Sequence, residues 1–332
     1  MIRRAIMPGM SLAAGAVLLL AGCAGAPEKE SATAESGDRF PVELVNCDHE
    51  VVVESAPERV VTLNQGATEV VLALGLGDRL AGTAYLDDAI SDRWAQEYEK
   101  VPVLAEEYPT NEALLKAEPD LVYASYASAF DRGVAGDRTI LAESGTQSYL
   151  SPFGCPDDSQ RPTPTFDAVW QELDDVAELL GEPDSSKALV AEQKESLRSV
   201  RDEAPGQGLT ALWYDSGDKT PLVGGGQSGP QLILDAVGAA NVFSDIDRGW
   251  GEGSWEDVLA TDPDFIVLAD ASWSSAEEKK AYLEKDPVLR ELTAVKTGAF
   301  VTVAYSEATP GVRMVDGAVS VASQLADLDL RP

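Results

Sequence analysis

At 332 residues, 44% hydrophobic and 25% charged, the chain has the composition of a globular protein and the length for two hydrophobic cores. A formal net charge of −32 argues against nucleic acid, whose phosphates need a basic surface, and would be repelled by anionic lipid headgroups. The single histidine, His49, all but excludes hydrolytic triads and zinc sites built on histidine, and it reads as an ordinary surface residue.

The chain opens on Arg3 and Arg4, followed by an apolar run ending Val17-Leu18-Leu19-Leu20. The run is too short to span a bilayer and has the form of a secretion signal over residues 1–22. It closes on Leu20-Ala21-Gly22-Cys23, which resembles a bacterial lipobox; by that resemblance Cys23 becomes the first mature residue and carries lipid. Lipid then has to hold so acidic a chain at a membrane, because electrostatics cannot. Residues 23–40 are rich in Ala, Glu, Ser and Gly and read as a flexible tether. Cys47 and Cys155 remain. Outside the cytoplasm an even pair points to a disulfide, which would close a loop of about 100 residues and contribute up to ~4–5 kcal/mol. Two free thiols are the alternative.

Residues 41–183 alternate strand and helix. Glu58–Leu63 reads as a strand, Asn64–Ala67 as a turn, Thr68–Leu74 as a helix and Arg79–Ala84 as the next strand. Asn111–Ala117 is a short helix before the buried strand Asp120–Ala124; Thr139–Ser144 and Gln147–Ser151 continue the pattern. Phe166–Leu180 is amphipathic, with Phe166, Val169, Trp170, Leu173, Val176, Ala177 and Leu180 on one face. Asp184–Ala204 follows as a long helix with Leu189, Gln193, Leu197, Val200 and Ala204 at spacings of three and four, stopped by Pro205 and Gly206. After it, over residues 205–332, the pattern restarts. Strands are expected at Leu209–Tyr214, Phe265–Ala269 and Phe300–Val303, and helices at Pro230–Val237, Trp255–Ala260 and Val312–Leu325. The fold class is therefore α/β: two Rossmann-like lobes with mostly parallel sheets, bridged by the long helix over 184–204, with a ligand cleft between them.

Two echoes support related lobes. TNEALLKAEPD (Thr110–Asp120) matches SWEDVLATDPD (Ser254–Asp264), with Glu112 and Glu256 each seven residues before the proline. VVLALGLGDRLAG (Val70–Gly82) is echoed by LILDAVGAANVF (Leu232–Phe243). Several aromatics fall at or just past strand ends, where open α/β sheets bind ligands: Tyr85, Tyr126 and Tyr305 follow strands, and Trp213 and Tyr214 end one. Trp250 sits in the glycine-rich stretch Arg248–Gly253, which has little else to bury it. Together they point to a cleft that grips a bulky, partly apolar ligand by its flat faces. Gly224–Gly229 precedes a helix and reads as a turn that lets backbone approach a ligand; it lacks the rest of a nucleotide fingerprint.

PERVVTLNQGATEVVLALGLGDRLAGTA, the two glutamate-to-PD segments, the long helix and GAANVF resemble the substrate-binding lipoproteins of ABC importers for iron–siderophores, haem and cobalamin. The resemblance runs from about Pro57 to the C-terminus. It implies an extracytoplasmic, lipid-anchored, monomeric receptor without catalytic residues, metal site or cofactor, whose ligand is an iron(III) chelate and whose partner is a permease dimer with its ATPase. It also implies that Glu112 and Glu256 dock onto permease arginines, and that Tyr85, Ser125, Tyr126, Trp213, Tyr214, Trp250, Tyr305 and Arg313 lie near the ligand. Tyr108, on the loop Leu104–Pro109, matches less well, and the several cleft arginines expected for a catecholate complex are missing from the pattern. Cobalamin is the runner-up ligand and haem the third. An extracytoplasmic enzyme would need a nucleophile and base in reach of each other, which the sequence does not name; a tethered sensor is the remaining class.

Overall fold

The computed structural model describes residues 39–328 and residue 330, so the secretion signal, Cys23 and most of the tether lie outside the described residues. β1 (Val42–Asn46) and β2 (His49–Val53) form an antiparallel hairpin. Its two-residue turn puts Cys47 and Asp48 at φ 52° and 58°, the backbone that a tight hairpin turn requires. Cys47 is bonded to Cys155, with Cα atoms 5.4 Å apart. His49 opens β2 and is half-buried, its Nε2 without a partner; burial first, then Arg138, lowers its pKa.

The first lobe is built on β3 (Val60–Leu63), β4 (Leu80–Ala84), β5 (Val103–Ala105), β6 (Leu121–Ala124) and β7 (Gln147–Leu150). They are parallel and ordered β5-β4-β3-β6-β7. Successive residues of the central strands feed opposite layers: Val60, Leu121 and Tyr123 join one core, and Val61, Leu63, Val122 and Ala124 the other. This is why β3 and β6 read as unbroken apolar runs.

The second lobe contains β8 (Thr210–Ser216), β9 (Leu222–Gly224), β10 (Ala240–Asn241), β11 (Trp250–Glu252), β12 (Phe265–Asp270) and β13 (Phe300–Ala304), ordered β11-β9-β8-β12-β13 with β10 beside β8. β8, β12 and β13 are parallel, as expected. β9 and β11 extend the sheet antiparallel where the sequence reads as turn and loop. Their glycines explain both the omission and the pairing. A Cβ on Gly225 would stand 2.4 Å from the Arg248 carbonyl oxygen, so only glycine lets these segments close up.

The bridging helix is Ser185–Glu203, about 28 Å long at 1.5 Å per residue. Ser186, Val190, Gln193, Leu197 and Val200 form its buried face, and Ala204, in the left-handed conformation, ends it. Buried Gln193 ties both lobes to it. Its Oε1 accepts from Trp170 Nε1 at 2.8 Å, and its Nε2 donates to the Val312 carbonyl at 2.7 Å. One continuous apolar core runs from the first lobe past Val190, Leu197 and Val200 into the second.

The repeated PD segment has a repeated job. Asp120 accepts from the Glu58 and Arg59 amides (2.8 and 3.1 Å), just before β3; Asp264 accepts from the Thr210 amide (2.7 Å), at the start of β8. Each aspartate staples its strand to the neighbouring one. The residue before each proline, Glu118 or Asp262, has φ near 50°.

Candidate functional site

In the first sheet the strand order reverses between β3 and β6, and ligands bind at the carboxyl ends of strands where that reversal occurs. A cavity of about 620 Å³ opens there. Its first-lobe wall includes Gly66, Ser125, Tyr126 and Phe153; its second-lobe wall includes Ser228, Gly229, Trp250 and Tyr305. Ser125 Oγ accepts from the Ala67 amide at 3.0 Å and so pins the helix after β3 against the loop after β6. Asn64, between β3 and that helix, is buried at φ 76° and ψ 157°, a conformation that strongly favours glycine. Strain of this kind collects at binding sites, and Tyr108 steadies it with a 3.1 Å bond from its hydroxyl to Asn64 Oδ1. Opposite, Ser228 caps the helix Gly229–Val237. A Cβ on Gly229 would lie 1.9 Å from the Ala308 carbonyl oxygen, which fixes glycine at that point of the wall.

Of the aromatics read from the sequence, Tyr126, Trp250 and Tyr305 meet in this cavity. Trp250 and Tyr305 are 6.1 Å apart between ring centroids, and Trp250 Nε1 donates to Asp215 at 3.2 Å. Burial pushes both tyrosines' pKa values up; the facing tyrosine and Asp87 add to this at Tyr126, and Asp215 and Asp87 at Tyr305. At neutral pH both side chains therefore carry uncharged phenol hydroxyls.

Trp213 and Tyr214 are corrections. β8 continues two residues beyond Tyr214, so both sit inside the central strand, 0% and 1% exposed, and pack in the core. Tyr214 stacks edge-on to Trp255 at 5.2 Å and donates to the Gly217 carbonyl at 3.1 Å. Tyr85 is half-buried at φ 62° against Tyr108, ring centroids 4.6 Å apart, and does not line the cavity. Arg313 is a further correction. It is 8% exposed and engaged by Glu307 (2.5 Å), Glu69 (3.5 Å), Asp88 (3.7 Å) and Ser306 Oγ (2.7 Å). Because Glu69 and Asp88 belong to the first lobe, this guanidinium joins the lobes through Nη1, while Nη2 holds Glu307; its Nε is buried without a partner among the described residues, and the residue does not line the cavity. Asp88 reinforces the junction by accepting from the Ser306 amide and hydroxyl at 2.8 and 2.9 Å.

Two arginines that the sequence reading did not place near the ligand do line the cavity, Arg161 from the first lobe and Arg248 from the second. Arg161 is paired with Asp158 at 2.7 Å; among the described residues Arg248 has no ion pair. Glu112 and Glu256 do not line the cavity. Each is exposed at the second position of a short helix, capped by Thr110 in one case and Ser254 in the other, so the sequence echo is also a structural one. Among the described residues, no group of three or more His, Cys, Asp or Glu is arranged to hold a metal ion, and no helix is long and apolar enough to cross a membrane.

Two α/β lobes on one rigid helix, sharing an aromatic-walled cavity, define a ligand receptor. The chain belongs to the periplasmic binding protein family: the family of that description matches residues 60–304. Its members are binding proteins of extracytoplasmic transport, not enzymes. A Bacillus subtilis protein described as the uncharacterized ABC transporter substrate-binding lipoprotein YvrC is 24% identical over 271 residues, covering 80% of this chain and 81% of that one. A cobalamin-binding protein of Halobacterium salinarum is 24% identical over 287 residues, 83% and 72% of the two chains. The crystal structure of a periplasmic binding protein from Veillonella parvula superposes with a TM-score of 0.73 at 27% identity, covering 85% of this chain and 96% of that one.

Proposed function

We propose that this protein captures an iron(III) chelate of the siderophore type outside the cell and hands it to an ABC permease. The observation that carries the reading is the cavity. It offers aromatic faces, phenol and serine hydroxyls and one arginine from each lobe, groups that hold a chelate by its organic shell while the chelator keeps the iron. Its volume of about 620 Å³ lies within the usual span for small-molecule sites and suits a single hexadentate chelate. Arg161 and Arg248 favour an anionic shell. Cobalamin is the second reading, favoured by the cobalamin-binding relative and the aromatic walls, and disfavoured by its bulk against this cavity.

In this reading Glu112 and Glu256 meet permease arginines in charge-assisted pairs, Cys23 carries the lipid anchor, and the receptor works as a monomer. The test is a binding screen of the purified protein against an iron(III) trihydroxamate, an iron(III) tris-catecholate, haemin and cyanocobalamin, followed by tryptophan fluorescence. Tightest binding to an iron chelate is the expected result. Tightest binding to cyanocobalamin or haemin transfers the assignment to that ligand.

A further inference from the structure

Lys279 and Trp273 have no part in the cavity wall, and their placement is unusual. Lys279 lies on the helix Ala276–Lys285 and is 3% exposed, although lysines are almost never fully buried unless paired. Its Nζ donates to the carbonyls of Ala269, at the end of β12, and of Ser274, at 2.7 Å for the latter. These carbonyls bracket a tight loop closed by paired bonds between Ala271 and Ser274. At its tip Trp273 is 54% exposed, edge-on to Tyr305 with ring centroids 4.8 Å apart. The neighbouring Ser272 amide donates to the Asp87 carbonyl of the other lobe at 3.2 Å, so the loop stands where the lobes meet. One buried ammonium thus holds the loop that carries Trp273, through the Ala269 and Ser274 carbonyls.

We propose that Trp273 is a ligand contact and that Lys279 is the residue that positions it, so that the ligand lies along Trp250, Tyr305 and Trp273 with an apolar or aryl part of its organic shell resting on Trp273. The inference rests on the reading of the cleft as the ligand site. An exposed indole on a mobile loop would be an ordinary surface feature. Here the loop is fixed by a buried charge, two backbone bonds and a bond to the other lobe, which is the preorganisation a binding wall needs.

The experiment uses the purified protein labelled with 5-fluorotryptophan, its fluorine resonances assigned by single replacement. It is titrated with an iron(III) trihydroxamate, an iron(III) tris-catecholate, haemin and cyanocobalamin, and the tightest binder is carried through the variants. Trp273→Ala should raise Kd roughly ten-fold, the usual effect of truncating an aromatic anchor, without changing the melting temperature. Lys279→Met should raise Kd similarly and move the Trp273 resonance while Trp94 and Trp170 stay in place. Lys279→Gln keeps N–H donors for the same carbonyls and should restore part of the affinity; it also serves if the methionine variant does not fold. If Trp273→Ala binds normally while Trp250→Ala binds weakly, Trp273 is no contact and the cleft reading survives. If neither changes Kd, or none of the four probes binds, the cleft reading itself fails. Normal binding with lost uptake would put Trp273 against the permease and overturn the proposal.

Discussion

Gln193→Leu is the sharpest test of the bridging helix as a strut. Gln193 makes two buried hydrogen bonds, one to an indole of the first lobe and one to a backbone carbonyl leading into the last helix of the second. Leucine fits the same helical position and removes both partners at once, orphaning Trp170 Nε1 and the Val312 carbonyl. Each buried group left unsatisfied costs about 1–3 kcal/mol. Burial of the leucine returns part of this, leaving a net loss of about 2–4 kcal/mol. Urea denaturation followed by far-ultraviolet circular dichroism measures it, with exposed Ser199→Leu as the control, expected within about 0.5 kcal/mol of the native protein. If Gln193→Leu matches the control, the two bonds do not hold the lobes to the helix and the strut argument is wrong.

Reduction of the Cys47–Cys155 bond, which closes a separation of 108 residues, should lower stability by up to ~4–5 kcal/mol and be visible as a lower melting temperature; thiol reactivity in the oxidised protein would contradict the pairing. Glu69, Asp87 and Glu172 are raised to about 7, in each case chiefly by burial. The folded state therefore holds their protons to higher pH than the unfolded chain, and stability is lost as pH rises from the ordinary carboxylate range through about 7. Thermal melts should give a higher midpoint near pH 5 than near pH 8, and Glu172→Gln, which keeps a partner for the Tyr123 hydroxyl, should flatten that dependence; a midpoint that rises with pH would refute it. Trp250→Ala should weaken chelate binding by roughly 1–3 kcal/mol and leave the melting temperature nearly unchanged, read by titration and calorimetry.

Much of the fold was legible because it follows from periodicity. The bridging helix lies within a residue of Asp184–Ala204, and the central strands appear as the apolar runs ERVVTL, DLVYA and FIVLA. The echo of Glu112 and Glu256 was legible as well, although the stapling by Asp120 and Asp264 emerges only once the strands are paired. The hairpin β1–β2 escaped because Cys47-Asp48 turns at positive φ without the glycine or asparagine that usually signals it. β9 and β11 escaped because glycine hides strands. The helix Ala276–Lys285 carries charge on most of its surface and little apolar stripe; its legible sign was the capping box of Ser275 and Glu278.

For the site, the rule that aromatics past strand ends face the ligand found Tyr126 and Tyr305. It failed at Trp213 and Tyr214, where β8 runs two residues longer than its sequence suggests. Applied to β12, the same rule would have pointed to Trp273. Arg161 and Arg248 lie on irregular segments, and no local pattern brings them to one cavity. Arg313 was placed by likeness to other chains, which could not reveal that Glu69, Asp88 and Glu307 surround it.

The central claim is that ligand capture and delivery are separate tasks of separate surfaces, and Glu112→Arg and Glu256→Arg test it most directly. Each replaces an exposed carboxylate with a like charge for a permease arginine, and neither side chain lines the cavity. The measurement is paired: equilibrium binding of the iron(III) chelate to each purified variant, and uptake of the same chelate by cells carrying it. Unchanged affinity with uptake abolished is the result predicted. Lost affinity in both variants would move the glutamates into the ligand site, and full uptake would leave them as ordinary surface charges.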